Sequence, residues 1–299
     1  MFVSCAILLG LLGTAIARYL ASGSIPEGRR SGSIVVGDRT RTYLVHLPPD
    51  YDGSRPLPIV IVLHGASESP ERTEQISGMS RKADKENFIA VYPRGTGRRD
   101  PSSSPTWNSS NCCGYALQHK VDDVSFIRAL IEKLEVNYSV DTKRIFVTGI
   151  SNGAMLAFRL AYELSDKVAA IAPIEGAYHS KCTSSTTPVS MIILRRARDR
   201  SIQLDPDKAS LLTMTSLNDD LTERCMAFWV KQNKCSPVPE REQTGNISRD
   251  LYGDCKRGVE IEVCSIRQDH PLWSGSVSSK NSVLATDIIW SFFSQHPKQ

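Results

Sequence analysis

Apolar runs alternate with amphipathic stretches along this chain, in the rhythm of strands separated by helices. Pro58 to Leu63 is almost continuously apolar, the mark of a strand covered on both faces. Phe88 to Tyr92, ended by Pro93, is a second such run. Lys167 to Pro173, Val189 to Leu194 and Val259 to Ile266 read as further strands. Glu71 to Glu86, Val121 to about Val136, Leu221 to Gln232 and Asn281 to Ser294 carry helical spacing. Ser33 to Leu47 holds two β-rich runs around Gly37-Asp38 and predicts a hairpin, stopped by Pro48-Pro49. This order predicts an α/β fold: a mostly parallel central sheet with helices on both faces. Arg94 to Gln118 fits no period. Loops of that length inside a compact domain are usually functional or disordered, and Trp107 with the Cys112-Cys113 pair argues for order. No internal repeat or domain-splitting linker interrupts the pattern.

The most informative stretch joins a predicted strand, Arg144 to Thr148, to a predicted helix, Ala154 to Glu163. Between them lies Gly149-Ile150-Ser151-Asn152-Gly153, a G-x-S-x-G. Strand, tight turn and helix together make this a nucleophile elbow with Ser151 at its tip. The turn needs small neighbours, because a side chain at Gly149 or Gly153 would collide with the adjoining strand or helix. A helix N-terminus behind the serine also favours developing negative charge.

A serine nucleophile needs a base, an orienting acid and an oxyanion hole. In this fold the acid and then the histidine follow the serine in the chain. Three histidines follow Ser151: His179, His270 and His296. His296 lies in the terminal tail and His179 close behind the elbow. His270 follows a predicted strand, where a loop can deliver an imidazole to the sheet edge, so position favours it.

Composition narrows the setting. At 299 residues, with 40% hydrophobic and 23% charged side chains, the chain suits one large globular domain. A net charge of +4 is too mild to argue for nucleic acid as a partner. Residues 1–17 have no charged side chain, contain the apolar run Ala6 to Leu12 and end in Ala15-Ile16-Ala17, as a signal peptide does. An uncleaved membrane anchor is the second reading, although the run is short for a membrane span. A polar leader, 18–32, would then precede a single domain over 33–299 of an extracellular protein with no stable membrane association. Eight cysteines agree with export. Loss of Cys5 leaves an odd number, so at least one thiol stays unpaired or bridges another molecule. Cys112 and Cys113, as neighbours, are not expected to bridge each other. Cys235 and Cys255 flank a polar segment and are expected to pair. No cluster has zinc spacing, so no metal or cofactor is expected. Sequons stand at Asn108, Asn137 and Asn246.

With these residues in view, the chain resembles the secreted α/β-hydrolases that include polyhydroxybutyrate depolymerases and feruloyl esterases. The resemblance runs from about Thr42 to Phe293. It is carried by Leu63-His64-Gly65, Tyr92-Pro93-Arg94-Gly95-Thr96, Trp107-Asn108, Cys112-Cys113-Gly114, Val121-Asp122-Asp123-Val124, the elbow, and His270 with Trp273 and Gly275. It implies Ser151 as nucleophile, His270 as base, and the Ala66 and Asn152 N–H groups as oxyanion donors. The family's acid segment, His-Gly-Thr-x-Asp, here reads Arg195-Arg196-Ala197-Arg198-Asp199. Asp199 is the acid by this alignment, with Asp205 as the alternative. The resemblance also points to a bridge from Cys112 or Cys113 to Cys182. Trp107 and Trp273 either line an aromatic acyl pocket or pack. Asp122 and Asp123 read as helix N-terminal residues facing the dipole. His64 reads as a holder of the oxyanion loop, and Arg195, Arg196, Arg198 and Arg200 as a solvated charged run, with a pocket for anionic esters as the second reading.

Two functions follow from this reading. One is a serine carboxylic ester hydrolase whose partner is an ester, free or carried on a polymer such as a plant cell-wall polysaccharide or a polyester. The other is a catalytically impaired binding or decoy protein on the same scaffold, suggested by the arginines that surround Asp199.

Overall fold

In a computed structural model of the protein, the described residues are 28–98, 103–176, 187–197, 224–267, 272–273 and 280–298, the side chains of 280–284 excepted. Residues 1–27, Cys182, Asp199, Asp205, His179 and His270 lie outside them. So do the expectations of a signal peptide, of the triad acid and of its base.

Among the described residues ten strands form one sheet: β1 (Arg29–Val36), β2 (Arg39–His46), β3 (Leu57–Leu63), β4 (Ile89–Pro93), β5 (Val140–Ile150), β6 (Ala170–Ile174), β7 (Ser190–Ala197), β8 (Glu240–Thr244), β9 (Ile247–Tyr252) and β10 (Ile261–Arg267). Their spatial order is β1-β2-β4-β3-β5-β6-β7-β10-β9-β8. From β4 to β10 every neighbouring pair is parallel; the pairs at the two flanks are antiparallel. The apolar runs explain the centre. Every residue of β3, β4 and β6 is buried, as strands covered on both faces require.

The helices are α1 (Pro70–Ser77), α2 (Met79–Glu86), α3 (Gly114–Gln118), α4 (Asp123–Asn137), α5 (Asn152–Glu163), α6 (described over 224–233) and α7 (Lys280–Gln295). One face of the sheet packs against α4, α5 and α6 through Phe126, Leu130, Leu156, Phe158 and Trp229. The other packs against α1, α2 and α7, where Phe293 stacks on Phe146 at 4.7 Å and Trp290 on Phe88 at 4.2 Å. The expected layered α/β architecture is therefore present.

Several boundaries differ from the sequence reading. The single helix expected over Glu71 to Glu86 is two, because Gly78 adopts φ 63° and closes α1 with its N–H on the Glu74 carbonyl. Strand β1 starts at Arg29, within the stretch taken as leader, because its backbone pairs with Leu44, Val45 and His46. The hairpin β8–β9 was not expected at all. Residues Glu240–Thr244 are polar and exposed, so no hydrophobic alternation announces a strand, and only the Gly245-Asn246 turn marks it. The Cys235–Cys255 disulfide closes this excursion as expected.

Register decides what meets at the site. Leu63 pairs with Gly149, and Gly149 with Pro173. The turns that follow β3, β5 and β6 thus leave the carboxyl edge of the sheet side by side.

Candidate active site

Ser151 sits at the tip of the β5–α5 turn with φ 54° and ψ −115°, a backbone conformation that few non-glycine residues adopt. Its side chain is exposed, and its N–H donates to the Ile174 carbonyl at 2.9 Å. The neighbouring glycines are required by contact. A Cβ at Gly153 would stand 2.5 Å from the Leu63 carbonyl oxygen and 2.6 Å from that of His64. A Cβ at Gly149 would meet the Gly153 backbone and the Leu63 side chain, both at 2.8 Å. The close approach reaches Gly176 as well, where a Cβ would lie 2.6 Å from the Ser151 carbonyl oxygen.

The β3 turn runs against this elbow. Its His64 is fully buried and wired at both ring nitrogens. Nε2 lies 2.8 Å from the Gly95 N–H, which can only donate, so Nε2 is the unprotonated acceptor. Nδ1 therefore carries the proton and donates to the Gly65 carbonyl at 2.7 Å. Burial pushes the imidazole pKa down to about 4, so the ring is neutral. His64 fastens the turn after β3 to the turn after β4, the holding role read from the sequence. Ala66, on the same turn, is exposed; Ser67, at φ 65°, donates its N–H to the Pro105 carbonyl at 2.8 Å. Asn152 opens α5, where the first backbone N–H groups lack an intrahelical acceptor. Among the described residues neither the Ala66 nor the Asn152 N–H is given to a protein acceptor.

The side chain of Asn152 has a second task that sequence reasoning missed. Its Oδ1 accepts the Trp107 N–H at 2.7 Å, and its Nδ2 donates to the Trp107 carbonyl at 3.1 Å. The nucleophile turn is thereby locked to the long loop between β4 and α4. Trp107 continues the link, donating Nε1–H to the His64 carbonyl at 2.9 Å, with its ring 4.7 Å from the imidazole.

Trp107 is fully buried and Trp273 nearly so. They belong to core clusters on opposite faces of the sheet. Trp273 donates Nε1–H to Thr286 at 3.2 Å, and the Thr286 hydroxyl donates to the Ser77 carbonyl. Packing, one of the two roles left open, is what the buried indoles show.

Charged groups fasten the described parts of the loop from Arg94 to Gln118, residues 94–98 and 103–118. Asp122 caps α4 as expected, accepting the Ser125 N–H at 2.9 Å. Asp123 does more than face the dipole. It is fully buried, pairs with Arg41 at 2.7 Å and accepts the Asn108 N–H at 2.7 Å. Burial pushes its carboxyl upward, while Arg41 pulls it back. Arg41 also donates to the Arg94 carbonyl at 3.1 Å and lies 4.1 Å from the Phe126 ring centre. A pair 82 residues apart leaves no local sequence signal.

The expected bridge from Cys112 or Cys113 to Cys182 lies outside the described residues; Cys112 and Cys113 stand side by side, their Cα atoms 3.1 Å apart across a cis peptide. One further expectation is corrected. Arg195 and Arg196 are half-buried and engaged rather than solvated: Arg195 donates to the Ser265 hydroxyl at 2.9 Å, and Arg196 forms an ion pair with Glu175, directly after β6.

Comparison with known proteins agrees with this architecture. Feruloyl esterase D of Neurospora crassa is 26% identical over 292 residues, covering 94% of this chain and 92% of that protein. Feruloyl esterase B of Piromyces equi is 25% identical over 235 residues, 76% of this chain but 41% of that protein. The chain thus spans less than half of this larger relative. The solved acetyl xylan esterase from Aspergillus awamori superposes with a TM-score of 0.62 at 15% identity, covering 89% of this chain and 99% of that one, which establishes the shared fold. Residues 41–210, more than half of the sequence, match the family described as esterase PHB depolymerase, and the chain belongs to that family.

Proposed function

We propose that the protein is a secreted serine carboxylic ester hydrolase acting on feruloyl or acetyl esters of plant cell-wall polysaccharide, or on short polyester chains. The observation that carries the reading is Ser151: exposed, at positive φ, on a turn that three glycines press against β3 and α5. The names of the relatives support the reaction class and the range of esters.

In this mechanism the Ser151 hydroxyl attacks the ester carbonyl while His270 takes its proton and Asp199 orients the imidazole. The tetrahedral oxyanion rests on the Ala66 and Asn152 N–H groups. His270 returns the proton to the departing alcohol, and water then releases the acid from the acyl-enzyme. The resemblance and the chain order support His270 and Asp199 in these roles. No cofactor enters the cycle. Among the described residues no helix is long and apolar enough to cross a membrane.

A hydrolysis screen over feruloyl, acetyl-xylan and hydroxybutyrate esters tests the proposal, with fluorophosphonate labelling of Ser151 alongside. An active esterase labels and turns over at least one class. A folded protein that neither labels nor hydrolyses any of them is the non-catalytic binding protein instead.

A further inference from the structure

A cavity of about 370 Å³ opens beside the oxyanion turn, where the start of β2 meets the end of β4. Arg39, Arg41, Arg94 and Arg98 line it, with Asp38 the one carboxylate among its lining residues. Two of these arginines are already committed: Arg41 to buried Asp123, and Arg94 to Glu71 at 2.6 Å. The other two keep charge to spare. Among the described residues Arg39 pairs with Asp38 alone, at 3.8 Å, whose side chain is 90% exposed, so water screens that pair. Arg98 is exposed and forms no ion pair among the described residues. Thr96, a further lining residue, has a buried hydroxyl without a hydrogen-bond partner. Buried polar groups are normally satisfied, and a ligand oxygen is one acceptor that would satisfy this one. The surroundings are rigid: the adjacent Gly95 N–H is fixed on His64, and Thr96 and Thr106 exchange backbone hydrogen bonds at 3.0 and 2.9 Å.

The cavity shares an edge with the nucleophile. Arg94 follows β4 and Ser151 follows β5, both at the carboxyl edge, with β3 between them. Arg39, on β2, stands one strand beyond β4, so three strand spacings, roughly 14 Å, separate it from the nucleophile. That separation suits a group on the substrate other than the ester being cleaved.

We propose that this cavity is a carboxylate subsite that recognises an acidic sugar residue on the polymer bearing the ester, with Arg39 and Arg98 as the binding cations and the Thr96 hydroxyl as a donor. The inference rests on the esterase reading and names a substrate class for it: esters on uronate-bearing polysaccharide. Guanidinium groups match a carboxylate through two parallel hydrogen bonds. The cavity volume lies within the range of small-molecule sites.

Calorimetric binding to the full chain tests this without hydrolysis. The probes are an ester-free xylo-oligosaccharide carrying one uronate, the unsubstituted oligosaccharide and inorganic phosphate, each at low and at high salt. The acidic oligosaccharide is expected to bind at least tenfold more tightly than the neutral one at low salt. High salt should narrow that preference. Arg39→Gln and Arg98→Gln should each reduce it, and the double variant should abolish it. Circular dichroism checks folding, and the single variants decide if the double variant is unstable. Equal affinity for the two oligosaccharides overturns the proposal, as does a preference untouched by either substitution, or binding of phosphate without binding of the uronate. Labelling of Ser151 is read separately, so a labelled protein without charge preference loses the subsite and keeps the esterase.

Discussion

The His64 Nε2 accepts the Gly95 N–H at 2.8 Å, and this one bond joins the turn after β3 to the turn after β4. It also assigns the ring's state. A proton on Nε2 would face another donor, so the site holds imidazole and rejects imidazolium.

That state makes stability depend on pH. The folded pKa, about 4, lies below the value near 6.5 of an unfolded chain. The unfolded state therefore binds the extra proton first, and stability falls as pH drops from 6.5 toward 4. The full effect is on the order of 3 kcal/mol by linkage. Urea titrations at pH 7, 5.5 and 4.5 should show the decline, and His64→Gln should flatten its share of it. A decline of the same size in the variant would assign the effect elsewhere.

Breaking the Arg41–Asp123 pair should be costly. Asp123→Asn leaves a buried guanidinium without its counter-charge, and losses of about 3–5 kcal/mol are typical for such cases. Replacing both partners with apolar residues should cost less than Asp123→Asn alone. A double-mutant cycle by denaturant unfolding measures the difference.

At the elbow, Ser151→Ala should lower ester hydrolysis by on the order of a thousandfold or more, with the fold intact. Gly153→Ala should fail differently. Its methyl would press on the Leu63 and His64 carbonyls, so both turnover and thermal midpoint should fall. An active Ser151→Ala protein would remove the nucleophile assignment.

For the acid, Asp199→Asn should reduce turnover by on the order of ten-thousandfold, as loss of an orienting carboxylate does in such triads. Asp205→Asn should have little effect. Reversed results would move the acid to Asp205.

The Cys235–Cys255 bridge closes a 20-residue separation, and its reduction should cost about 3 kcal/mol by loop entropy. Cys264 is a buried free thiol whose pKa burial pushes up to about 12. It should resist maleimide in the folded protein and react on unfolding. Peptide mapping without reduction reads both.

What the chain reveals before it folds depends on range. Leu57–Leu63 and Ile89–Pro93 announce themselves because each is buried on both faces, so the local sequence carries the whole signal. Ser151 is legible because its turn demands glycines two residues to either side. Asp123 was only half legible: its place at a helix start is local, but Arg41 is not. The hairpin of Glu240–Thr244 and Ile247–Tyr252 escaped notice because β8 rests on main-chain pairing and buries no side chain of its own. Trp107 drew attention as a large aromatic, yet nothing nearby in sequence says that its backbone belongs to Asn152.

The Asn152–Trp107 clasp bears on how such proteins can diversify. The β4–α4 loop is the irregular stretch most open to insertion and exchange, yet its Trp107 backbone is held by the residue beside the nucleophile. Loop and elbow are therefore one mechanical part. A chimera that imports another member's loop should keep its activity only if the incoming segment presents a backbone N–H and carbonyl to the amide at 152. Grafts chosen by length alone would unfasten the nucleophile turn.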